Sequence, residues 1–581
     1  MKKLELKTNL PDSLTSVNKY SYIKYSFEKF NKVQSLIVNK KHYERDINLV
    51  LATNTSTGKT VSAELFIGQT LYKQNKKVIY VSPLKSLTQE KYDDWKVKFK
   101  DKEICILTGD YNNDDKVLQK LLKSDIICIT SEMLDSKTRS VGNLLKWGKS
   151  IGLIVIDEFH ILDMEGRGHA VEAGLIRFCQ YCNQARLLCL SATVPNVDDF
   201  RKWFTVLNNK STIAIKSDWR PVDLDFHYVK LNEKEYLAAM QEKLDKVLHL
   251  INKNYNEKFL VFVHDKNTGR RLTKHLNYND INCEFHNADL SLKNRRRLEK
   301  DFADKTNGNR VLVSTSTLAW GVSLPARNVI IAGSTRGKVS VDEFDILQMA
   351  GRAGRLGIDD KGDCFFLTHD VKLWQSLLSS LKNVNSKLIE QDYLQFQIIA
   401  EIAIGNVYNI KSLADWYKKS LAYIQNIGST GDFIECVKDL EDYKMLEFNS
   451  DNSIIIKNLG KVSAHLYFLP RDIVSLRNKL YKLNGVYNHY TTAYLLGANQ
   501  SWSMSYIPKE LVKENNLFAS ELRSRTGLNF KACNTTYNVY KYLKDKDRNL
   551  YNYQVVKDIN RIESAIKWVG SIYNLPYESI M

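Results

Sequence analysis

The first part of the chain alternates short apolar runs with amphipathic segments. Runs rich in β-branched residues recur between residues 47 and 217, and stretches with helical spacing, such as SLTQEKYDDWKVKF and HAVEAGLIRFCQYC, separate most of them. Apolar strands that alternate with helices are typical of a parallel sheet covered on both faces, whose chemistry lies at the carboxyl ends of the strands. We predict strands at INLVLAT, KKVIYVSP, EICILTGD, DIICITSE, IGLIVIDE, ARLLCLSAT and STIAIKS.

A second series of the same kind begins near residue 220 and predicts a second α/β domain. Its strands are KFLVFVHD, NCEFHNA, RVLVSTST, NVIIAGS and GDCFFLTHD. After about residue 375 the alternation stops, and FQIIAEIAIGN, SLADWYKKSLAYI and DFIECVKDLEDYKMLEF have helical spacing. SIIIKNLGKVSAHLYF predicts a wing, and the tail from about residue 470 is mostly helical.

Composition agrees with a soluble globular protein, because 44% of the 581 residues are apolar and 26% are charged. No apolar run reaches the roughly eighteen residues that a membrane-spanning helix needs. The start, MKKLELKTNLPDSLTS, has basic residues but no apolar core behind them, unlike a signal peptide. We therefore expect a cytoplasmic protein, in a host cell if the chain is viral, with no membrane partner.

The cysteines and the net charge limit which metals and partners the chain is expected to bind. Cys179 and Cys182 form the one close pair, with Cys189 nearby, and no second pair completes the four ligands of a zinc site. We expect neither zinc nor disulfides. Lys and Arg exceed Asp and Glu by 84 to 66, which gives a net charge of +18 and favours a polyanionic partner, most commonly nucleic acid.

The stretch VLATNTSTGKTVSAE ends like a phosphate-binding loop. It lies at a strand-to-helix junction, where backbone N–H groups and the helix N-terminus face an anion. Lys59 is expected to neutralise the β- and γ-phosphates, and the Thr60 hydroxyl to bind Mg²⁺. Thr53 stands where the strict pattern has its first glycine, and Ser56 occupies the middle of the loop, which leaves Gly58 as the one loop glycine.

Two further motifs complete a nucleotide site. IVIDEFH delivers Asp157 and Glu158 at the end of a strand, where Asp157 is expected to hold Mg²⁺ and Glu158 to orient or deprotonate the attacking water. DILQMAGRAGR belongs to the second domain and places Gln348, Arg352 and Arg355 on one turn-and-helix element. Two arginines aimed across an interdomain cleft would stabilise charge that develops on the γ-phosphate.

Several motifs follow one another along the chain in the order FNKVQS, TSTGKT, SPLKSLTQE, DEFH, SAT, STSTLAWGVSLPA and QMAGRAGR. In these motifs and in their order, the chain resembles the superfamily 2 DExH-box helicases. The Ski-like group, with the archaeal repair helicases and the spliceosomal helicase, is the most similar. The resemblance implies an α/β fold of two tandem RecA-like parallel-sheet domains, then a winged-helix domain and a small helical domain. The predicted boundaries are an extension over 1–29, RecA-like domains over 30–218 and 219–372, a winged helix over 373–468 and a ratchet-like domain over 469–581.

The resemblance also implies ATP and Mg²⁺ as cofactors and assigns further residues. Helicases of this group usually lack the first loop glycine, so Thr53 agrees with them, whereas Ser56 is a mild departure. Gln34 would read the adenine edge with Phe30 packed nearby. The implied nucleotide contacts are Phe30, Gln34, Thr55, Ser56, Thr57, Gly58, Lys59, Thr60 and Gly321. Residues implied to couple hydrolysis to domain closure are His160, Ser191, Ala192 and Thr193.

The strand contacts of the family come from loops rich in hydroxyl and backbone donors, which suit phosphates and ignore base sequence. One departure is FHNADLSLKNRRRLEKDF, in which Asn287 and Asp289 stand where His and Gly are usual. The matching positions are Pro83, Lys85, Thr108, Gly109, Thr130, Ser131, His286, Arg295, Thr315 and Thr317.

Two more elements are implied to touch the strand. STRGKVS predicts a hairpin tip with Gly337 in the turn and Arg336 and Lys338 at its flanks, where this family splits the duplex. In DINRIESAIKWVGSIYN, Arg561 and Trp568 lie seven residues apart, on one helix face, as in the ratchet helix of the repair helicases. A structural role, with Trp568 in the core and Arg561 in an ion pair, is the alternative.

The leading hypothesis is therefore a monomeric ATP-dependent helicase that moves 3′ to 5′ on single-stranded nucleic acid and unwinds duplexes, with DNA favoured over RNA. One alternative is an RNA helicase of the same group. Another is a translocase or remodeller without strand separation. A nucleic-acid-binding scaffold without catalysis is the third.

Overall fold

The computed structural model describes residues 9–19, 22–55, 57–109, 115–192, 194–304, 310–319, 324–336, 339–427, 430–483, 509–526, 533–538, 541 and 553–574. The chain forms two compact units. Unit 1 comprises Met1–Leu134, Leu145–Ile161 and Phe178–Val384, and unit 2 comprises Asp135–Leu144, Leu162–Arg177 and Asn385–Met581. The strands of both parallel sheets belong to unit 1.

A seven-stranded parallel sheet forms the first half of unit 1, which we call lobe 1. Its central strands are buried on both faces, as their continuous apolar sequences predict, and the strand order is β3-β4-β2-β5-β6-β1-β7. The strands are β1 (Asn48–Thr53), β2 (Lys77–Ser82), β3 (Ile104–Leu107), β4 (Ile126–Thr130), β5 (Ile151–Asp157), β6 (Arg186–Ser191) and β7 (Thr212–Ser217).

Helices follow most of these strands, which confirms the predicted alternation. The helix α2 continues into a wider π turn at Gln69–Lys73. The helices are α1 (Lys32–Asn39), α2 (Lys59–Gly68), α3 (Lys85–Lys98), α4 (Asp115–Lys123), α5 (Ser131–Thr138), α6 (Val141–Gly148), α7 (Gly168–Tyr181) and α8 (Val197–Asn208). Parts of α5, α6 and α7 belong to unit 2.

A six-stranded parallel sheet forms the second half of unit 1, which we call lobe 2, with the order β10-β11-β9-β12-β15-β8. The apolar runs did not indicate β8, because this edge strand alternates polar and apolar residues in DLDFHYVK. The strands are β8 (Asp223–Lys230), β9 (Phe259–Phe262), β10 (Cys283–His286), β11 (Val311–Ser314), β12 (Asn328–Ile331) and β15 (Lys361–Thr368). The helices are α9 (Tyr236–Lys253), α10 (Lys266–Tyr278), α11 (Leu292–Ala303), α12 (Glu343–Ala350) and α13 (Val371–Ser379).

The predicted hairpin lies between β12 and α12. Its strands β13 (Thr335–Arg336) and β14 (Val339–Ser340) pair antiparallel, which confirms a hairpin at STRGKVS. Gly337 and Lys338, which stand between these strands in the sequence, lie outside the described residues.

Unit 2 is mainly helical in its described part, as predicted for this half of the chain. One small antiparallel hairpin, β16 (Leu446–Phe448) with β17 (Ile454–Ile456), interrupts the helices. The helices are α14 (Gln391–Ala403), α15 (Ile410–Tyr417), α16 (Leu421–Gln425), α17 (Thr430–Asp442), α18 (Asn458–Leu466), α19 (Pro470–Leu483), α20 (Val512–Thr526) and α21 (Tyr553–Ile572).

Two local predictions in unit 2 were correct only over part of their length. The helix predicted over DFIECVKDLEDYKMLEF ends at Asp442, because Lys444 adopts a positive φ of 60° and the chain then enters β16. The stretch predicted as a wing is a strand only over β17 and then becomes α18. In α18 the buried Leu459, Val462 and Ser463 share one helical face, so the packing of this face stabilises a helix.

The predictions about membrane spans and about the cysteines concern the described helices and the burial of three thiols. Among the described residues, no helix combines the length and the apolar character that crossing a bilayer requires. Cys179, Cys182 and Cys189 are all buried.

Candidate active site

The phosphate-binding loop joins the end of β1 to the start of α2. Gly58 caps α2 with φ +72° and ψ 35°, a left-handed conformation that L side chains rarely adopt. A Cβ atom there would lie 2.1 Å from Nε2 of Gln34. Backbone geometry and neighbouring atoms therefore both require the one glycine that the sequence keeps in this loop. Ser56 lies outside the described residues.

Thr53, which replaces the first glycine of the strict motif, braces the loop. Its buried hydroxyl lies 2.8 Å from the hydroxyl of Thr57, which donates in turn to the carbonyl of Asn54 at 2.8 Å. The Thr57 proton is used in that second bond, so the Thr53 hydroxyl is the donor in the first. Threonine thus supplies an internal hydrogen bond that glycine lacks.

Helix α1 holds the loop from the other side. Asn31 and Gln34 form a capping box at the start of α1. Their amide groups also donate to the loop, Asn31 Nδ2 to the carbonyl of Thr57 at 2.7 Å and Gln34 Nε2 to the carbonyl of Gly58 at 3.2 Å. Asn31 was not predicted as a site residue, although it stands in the FNKVQS motif.

The aromatic side chains around α1 differ in exposure. Phe30 is fully buried and meets Tyr25 and Phe27 edge-on. Phe27 stacks on Tyr25 with 4.9 Å between ring centroids and is 37% exposed. Phe30 thus packs beneath the segment that carries Gln34, whereas Phe27 is the ring that a base could reach.

Lys59 begins α2 and faces the loop. Its ammonium donates to the carbonyls of Thr53 at 3.0 Å and Asn54 at 3.1 Å. Burial lowers the pKa of Lys59, and the carboxylates of Glu158 and Asp157 oppose that shift. A half-buried ammonium held by neutral carbonyls is suited to receive an anionic phosphate.

The acidic pair lies at the end of β5, whose last residue is Asp157. The Tyr80 hydroxyl donates to Asp157 Oδ2 at 2.6 Å, and the Glu158 N–H donates to Asp157 Oδ1 at 3.0 Å. Glu158 has a φ of +50°, a conformation that costs a non-glycine residue about 1–3 kcal/mol and is common at functional sites. Burial raises the pKa of both carboxyl groups, and Glu158 raises that of Asp157 further.

Lobe 2 supplies two side chains to the same place. Gln348 Nε2 donates to Glu158 Oε2 at 2.9 Å, which joins the lobes directly. Arg352 is half-buried, and its Nη2 donates to the carbonyl of Ala319 at 2.7 Å. At Gly351 a Cβ atom would lie 1.9 Å from Thr55 Oγ1, so glycine permits the close approach of this segment to the phosphate loop.

Residues of both lobes line one cavity of about 570 Å³. It brings together most of the predicted catalytic side chains, namely Lys59, Asp157, Glu158, Gln348 and Arg352, with Thr55, Gly58 and Thr60 of the loop. Arg355 does not line it, because Asp359 holds the Arg355 guanidinium through two bonds of 2.8 Å. Lys91 of α3 lines the cavity, was not predicted, and lowers the pKa of both Asp157 and Glu158.

The residues present fit a magnesium-bound nucleotide. The start of α2 turns its first N–H groups toward the cavity, where an anion is stabilised, and Lys59 adds a cation beside them. Asp157 and the Thr60 hydroxyl offer the oxygen ligands that Mg²⁺ prefers. Asp157 and Thr60 would hold the metal, and Lys59 with the loop would hold the phosphates.

The predicted coupling residues lie at the boundary of the two lobes. The His160 Nδ1 lies 3.3 Å from Ser191 Oγ and 3.6 Å from Glu158 Oε2. Its ring stacks on Phe344 of α12 in lobe 2, with 5.4 Å between centroids and 20° between planes. His160 thus touches the acidic pair, the SAT motif and lobe 2. Ala192 is buried beside Ser191, and Thr193 lies outside the described residues.

A second cavity in unit 1, of about 710 Å³, joins predicted strand contacts of both lobes. Lys85, His286 and Arg295 line it together. His286 is buried and pairs with Glu299 at 3.0 Å, while Arg296 forms an ion pair with Asp93 of α3. Lys85 is exposed and Arg295 half-buried, so both are open to a ligand.

The other predicted strand contacts differ in accessibility. Arg336 is exposed, and its guanidinium lies 3.4 Å from the Ser316 hydroxyl. Half-buried positions are Thr108, Gly109 and Thr315, and buried ones are Pro83, Thr130 and Ser131. Gly321, Lys338 and the side chain of Thr317 lie outside the described residues.

Arg561 and Trp568 both lie on α21 of unit 2. The Arg561 guanidinium stacks on Phe468 at 4.6 Å, and the Trp568 ring lies 5.9 Å from His465. Trp568 is 36% exposed and Arg561 half-buried. Both side chains thus pack within unit 2 while keeping some exposed surface.

Comparison with known proteins agrees with this geometry. Residues 31–200 match the DEAD/DEAH box helicase family, and residues 242–357 match the helicase conserved C-terminal domain. The first match contains the phosphate loop and the acidic pair, and the second contains Gln348, Arg352 and Arg355.

Curated relatives cover more of the chain. It is 27% identical to the ATP-dependent DNA helicase MER3 of Saccharomyces cerevisiae, over 88% of this chain and 47% of the relative. It is 28% identical to the human U5 small nuclear ribonucleoprotein 200 kDa helicase, over 78% of this chain and 25% of the relative. It is 30% identical to the activating signal cointegrator 1 complex subunit 3 of Bos taurus, over 78% of this chain and 23% of the relative. The chain spans between 23% and 47% of the length of these relatives.

The two matched domains, the shared cavity and these relatives agree with the motif order in the sequence. The two sheets of unit 1 are therefore RecA-like domains, and the chain belongs to the superfamily 2 DExH-box helicases of the Ski-like group.

Proposed function

We propose that the protein hydrolyses ATP to move along single-stranded DNA from 3′ to 5′ and to separate duplexes. The observation that carries this proposal is the cavity that Lys59, Asp157 and Glu158 share with Gln348 and Arg352. A ligand that contacts both lobes binds one arrangement of them better than another, so its hydrolysis changes their relative position. Repeated changes of this kind move a bound strand.

Each residue has a role in the proposed hydrolysis. Lys59 and the loop N–H groups bind the β- and γ-phosphates, and Mg²⁺ bound by Thr60 and Asp157 neutralises phosphate charge. Glu158 accepts a proton from water while the water oxygen bonds to the γ-phosphorus and the bond from phosphorus to the β-phosphate oxygen breaks. Gln348 orients that water through its hydrogen bond to Glu158.

The two arginines are proposed to act at different stages. Arg352 already lines the cavity, and it stabilises charge on the γ-phosphate directly. Arg355 is held by Asp359, so its contribution requires this ion pair to open when the lobes close on ATP. Arg355 is therefore the side chain whose position depends most on the bound nucleotide.

The preference for DNA is supported by one relative. The MER3 protein, which is named as a DNA helicase, matches 88% of this chain. The U5 ribonucleoprotein helicase supports the alternative, an RNA helicase of the same group. The direction of movement follows from the family resemblance. Arg561 and Trp568 are proposed to contact the strand through a phosphate and a stacked base.

A direct test compares the two polymers. We expect single-stranded DNA to stimulate ATP hydrolysis more than RNA of equal length, and 3′-tailed duplexes to be unwound faster than 5′-tailed ones. Phosphate release and strand separation measure the two effects. Stronger stimulation by RNA would favour the RNA helicase, and unwinding from 5′ tails alone would contradict the proposed direction.

A second test separates a helicase from a translocase or scaffold. Removing residues 336–339 shortens the hairpin β13–β14 and takes away its exposed Arg336 and Val339. We expect unwinding to stop while strand-stimulated ATP hydrolysis continues. Unchanged unwinding would favour a different splitting element, and a wild-type protein that hydrolyses ATP without unwinding would be a translocase. A wild-type protein without ATP hydrolysis would be a scaffold.

A further inference from the structure

The root of the hairpin β13–β14 has an unusual backbone. Between β12 and β13 the chain passes through Gly333, whose φ is +128°, a value that favours glycine. The His264 Nε2 lies 2.6 Å from the Gly333 carbonyl oxygen. A carbonyl only accepts, so Nε2 carries the proton and donates. Burial lowers the pKa of His264 to about 4, so this imidazole is neutral at pH 7 and orients the root of the hairpin.

Lys243 of α9 lies directly over this backbone. An ideal Cβ on Gly333 would lie 3.0 Å from the Lys243 Nζ and 3.6 Å from its Cε. Glycine thus leaves the space that the ammonium occupies. Burial lowers the pKa of Lys243, because solvent reaches this ammonium poorly.

No carboxylate balances Lys243 at short range. In the described part of the chain, no Asp or Glu oxygen lies within 4.0 Å of its ammonium. The nearby Asp265 attracts it from farther away, but both Asp265 oxygens accept from Thr268, at 2.8 and 2.6 Å. One turn along the same helix, Lys246 is paired with Glu242 at 2.8 Å. Lys243 is therefore a half-buried cation that lacks a close counter-ion among the described residues.

Further phosphate-binding groups lie at the same edge of the sheet. His264, Ser316 and Gly333 follow the carboxyl ends of β9, β11 and β12, the edge where parallel sheets bind ligands. Arg336 is exposed beside the Ser316 hydroxyl, and its charge acts on His264 together with that of Lys243. Two cations and a hydroxyl thus converge around the hairpin root.

We propose that Lys243, seated over the Gly333 backbone, forms with Arg336 and Ser316 a binding site for one phosphodiester of the strand as it reaches the hairpin. This site rests on the proposed function and adds a contact from α9. A phosphate supplies the counter-ion that a half-buried ammonium requires. The contact recognises the backbone, so it is independent of base sequence and holds the strand where the duplex would open.

The test uses a matched pair of lysines on α9. Lys243→Ala and Lys246→Ala remove the same charge from the same helix, one at the proposed site and one from an internal ion pair. We measure binding of a fluorescent thymidine oligonucleotide by anisotropy at several salt concentrations. Each phosphate contact on a single strand contributes a slope of about −0.7 to the salt dependence. We expect the slope to become shallower by about 0.7 in Lys243→Ala and to keep its wild-type value in Lys246→Ala.

Two further variants separate the contact from a folding defect. Lys243→Arg keeps the charge and is expected to keep the wild-type slope. Gly333→Ala would displace the Lys243 ammonium, whereas Gly357→Ala introduces a side chain at a φ of +74° with no atom within 4 Å. Only Gly333→Ala is expected to weaken binding, and thermal unfolding checks that the variants fold.

The outcomes distinguish this site from the proposed function. A wild-type slope and affinity in Lys243→Ala, while the wild-type chain binds the oligonucleotide, would overturn the site alone. A wild-type chain that binds no single strand would overturn the proposed function and the site with it. Equal losses in Lys243→Ala and Lys246→Ala would show a general charge effect and would also overturn the site.

Discussion

The protein contains two clusters of charged side chains that use similar residues differently. In unit 1, Lys59, Arg352, Asp157 and Glu158 face a cavity of about 570 Å³. In unit 2, Arg177 is fully buried, and its guanidinium donates to Glu401, Asp135 and Thr138 at distances between 2.5 and 3.2 Å. The first cluster leaves space beside its charges, and the second is closed around one guanidinium.

The difference shows how surroundings decide what a charged side chain does. The Lys59 ammonium is held by two neutral carbonyls, so an arriving phosphate improves its environment. Around Arg177, the Glu401 carboxylate accepts from Asn406 as well, and the Asp135 carboxylate also pairs with Arg139 at 2.8 Å. Charges already matched by opposite charges hold the fold together, whereas charges that face a cavity are available for a ligand.

The largest expected effect concerns the cluster that faces the cavity in unit 1. Lys59→Ala removes the cation beside the phosphates, and we expect ATP turnover to fall by about 10²–10³-fold, since it is one charge-stabilising donor at the reacting group. The free energy of unfolding should change little, because among the described residues the ammonium pairs with two carbonyls and with no carboxylate. Phosphate release and denaturant unfolding measure both effects. Lys100→Ala, on an exposed lysine of lobe 1, is the control. Unchanged turnover in Lys59→Ala would refute the assigned site.

The second-largest expected effect concerns the cluster around Arg177 in unit 2. Arg177→Met leaves the buried carboxylates of Glu401 and Asp135 without this guanidinium, and we expect the free energy of unfolding to fall by about 3–5 kcal/mol. Denaturant unfolding measures the loss. The control Arg525→Met removes an exposed partner of Glu521 at 3.5 Å and should cost below about 1 kcal/mol. Similar losses in both variants would mean that burial does not distinguish these pairs.

The smallest effect is a pH dependence within unit 2. Glu172 accepts from the Ser386 hydroxyl at 2.6 Å and from the Leu421 N–H at 2.6 Å, and burial raises its pKa from 4.5 to about 7. A raised carboxyl pKa means that the folded state binds the proton more tightly. The stabilisation is complete below the unfolded pKa of 4.5 and is lost as the pH rises through 7.

Glu172→Gln isolates this titration, because glutamine does not ionise. We expect the free energy of unfolding of the wild type, relative to this variant, to decrease by up to about 3 kcal/mol between pH 4 and pH 8. Urea unfolding at several pH values gives this difference. A constant difference over the range would show that Glu172 keeps its ordinary pKa and that its hydrogen bonds offset the burial.

Local features of the sequence predicted much of the nucleotide site. Gly58, Lys59 and Thr60 lie next to each other, and their roles follow from one strand-to-helix junction. The hairpin at STRGKVS could also be predicted from the sequence, because its two strands lie within a few residues of each other. By contrast, β8 alternates polar and apolar residues at a sheet edge, and α18 became helical through packing, so neither was recognised.

The sequence by itself determined most of the strands and helices, the charge and the motifs, because these depend on neighbouring residues. Only the tertiary structure decided which distant side chains meet. The bonds from Gln348 to Glu158 and from Tyr80 to Asp157, and the position of Lys243 over Gly333, join residues far apart in the chain. Arg352 and Arg355 are three residues apart and equally basic, yet one lines the cavity and the other pairs with Asp359. Such differences arise because burial and the nearest opposite charge are properties of the packed chain, which residue type and spacing leave open.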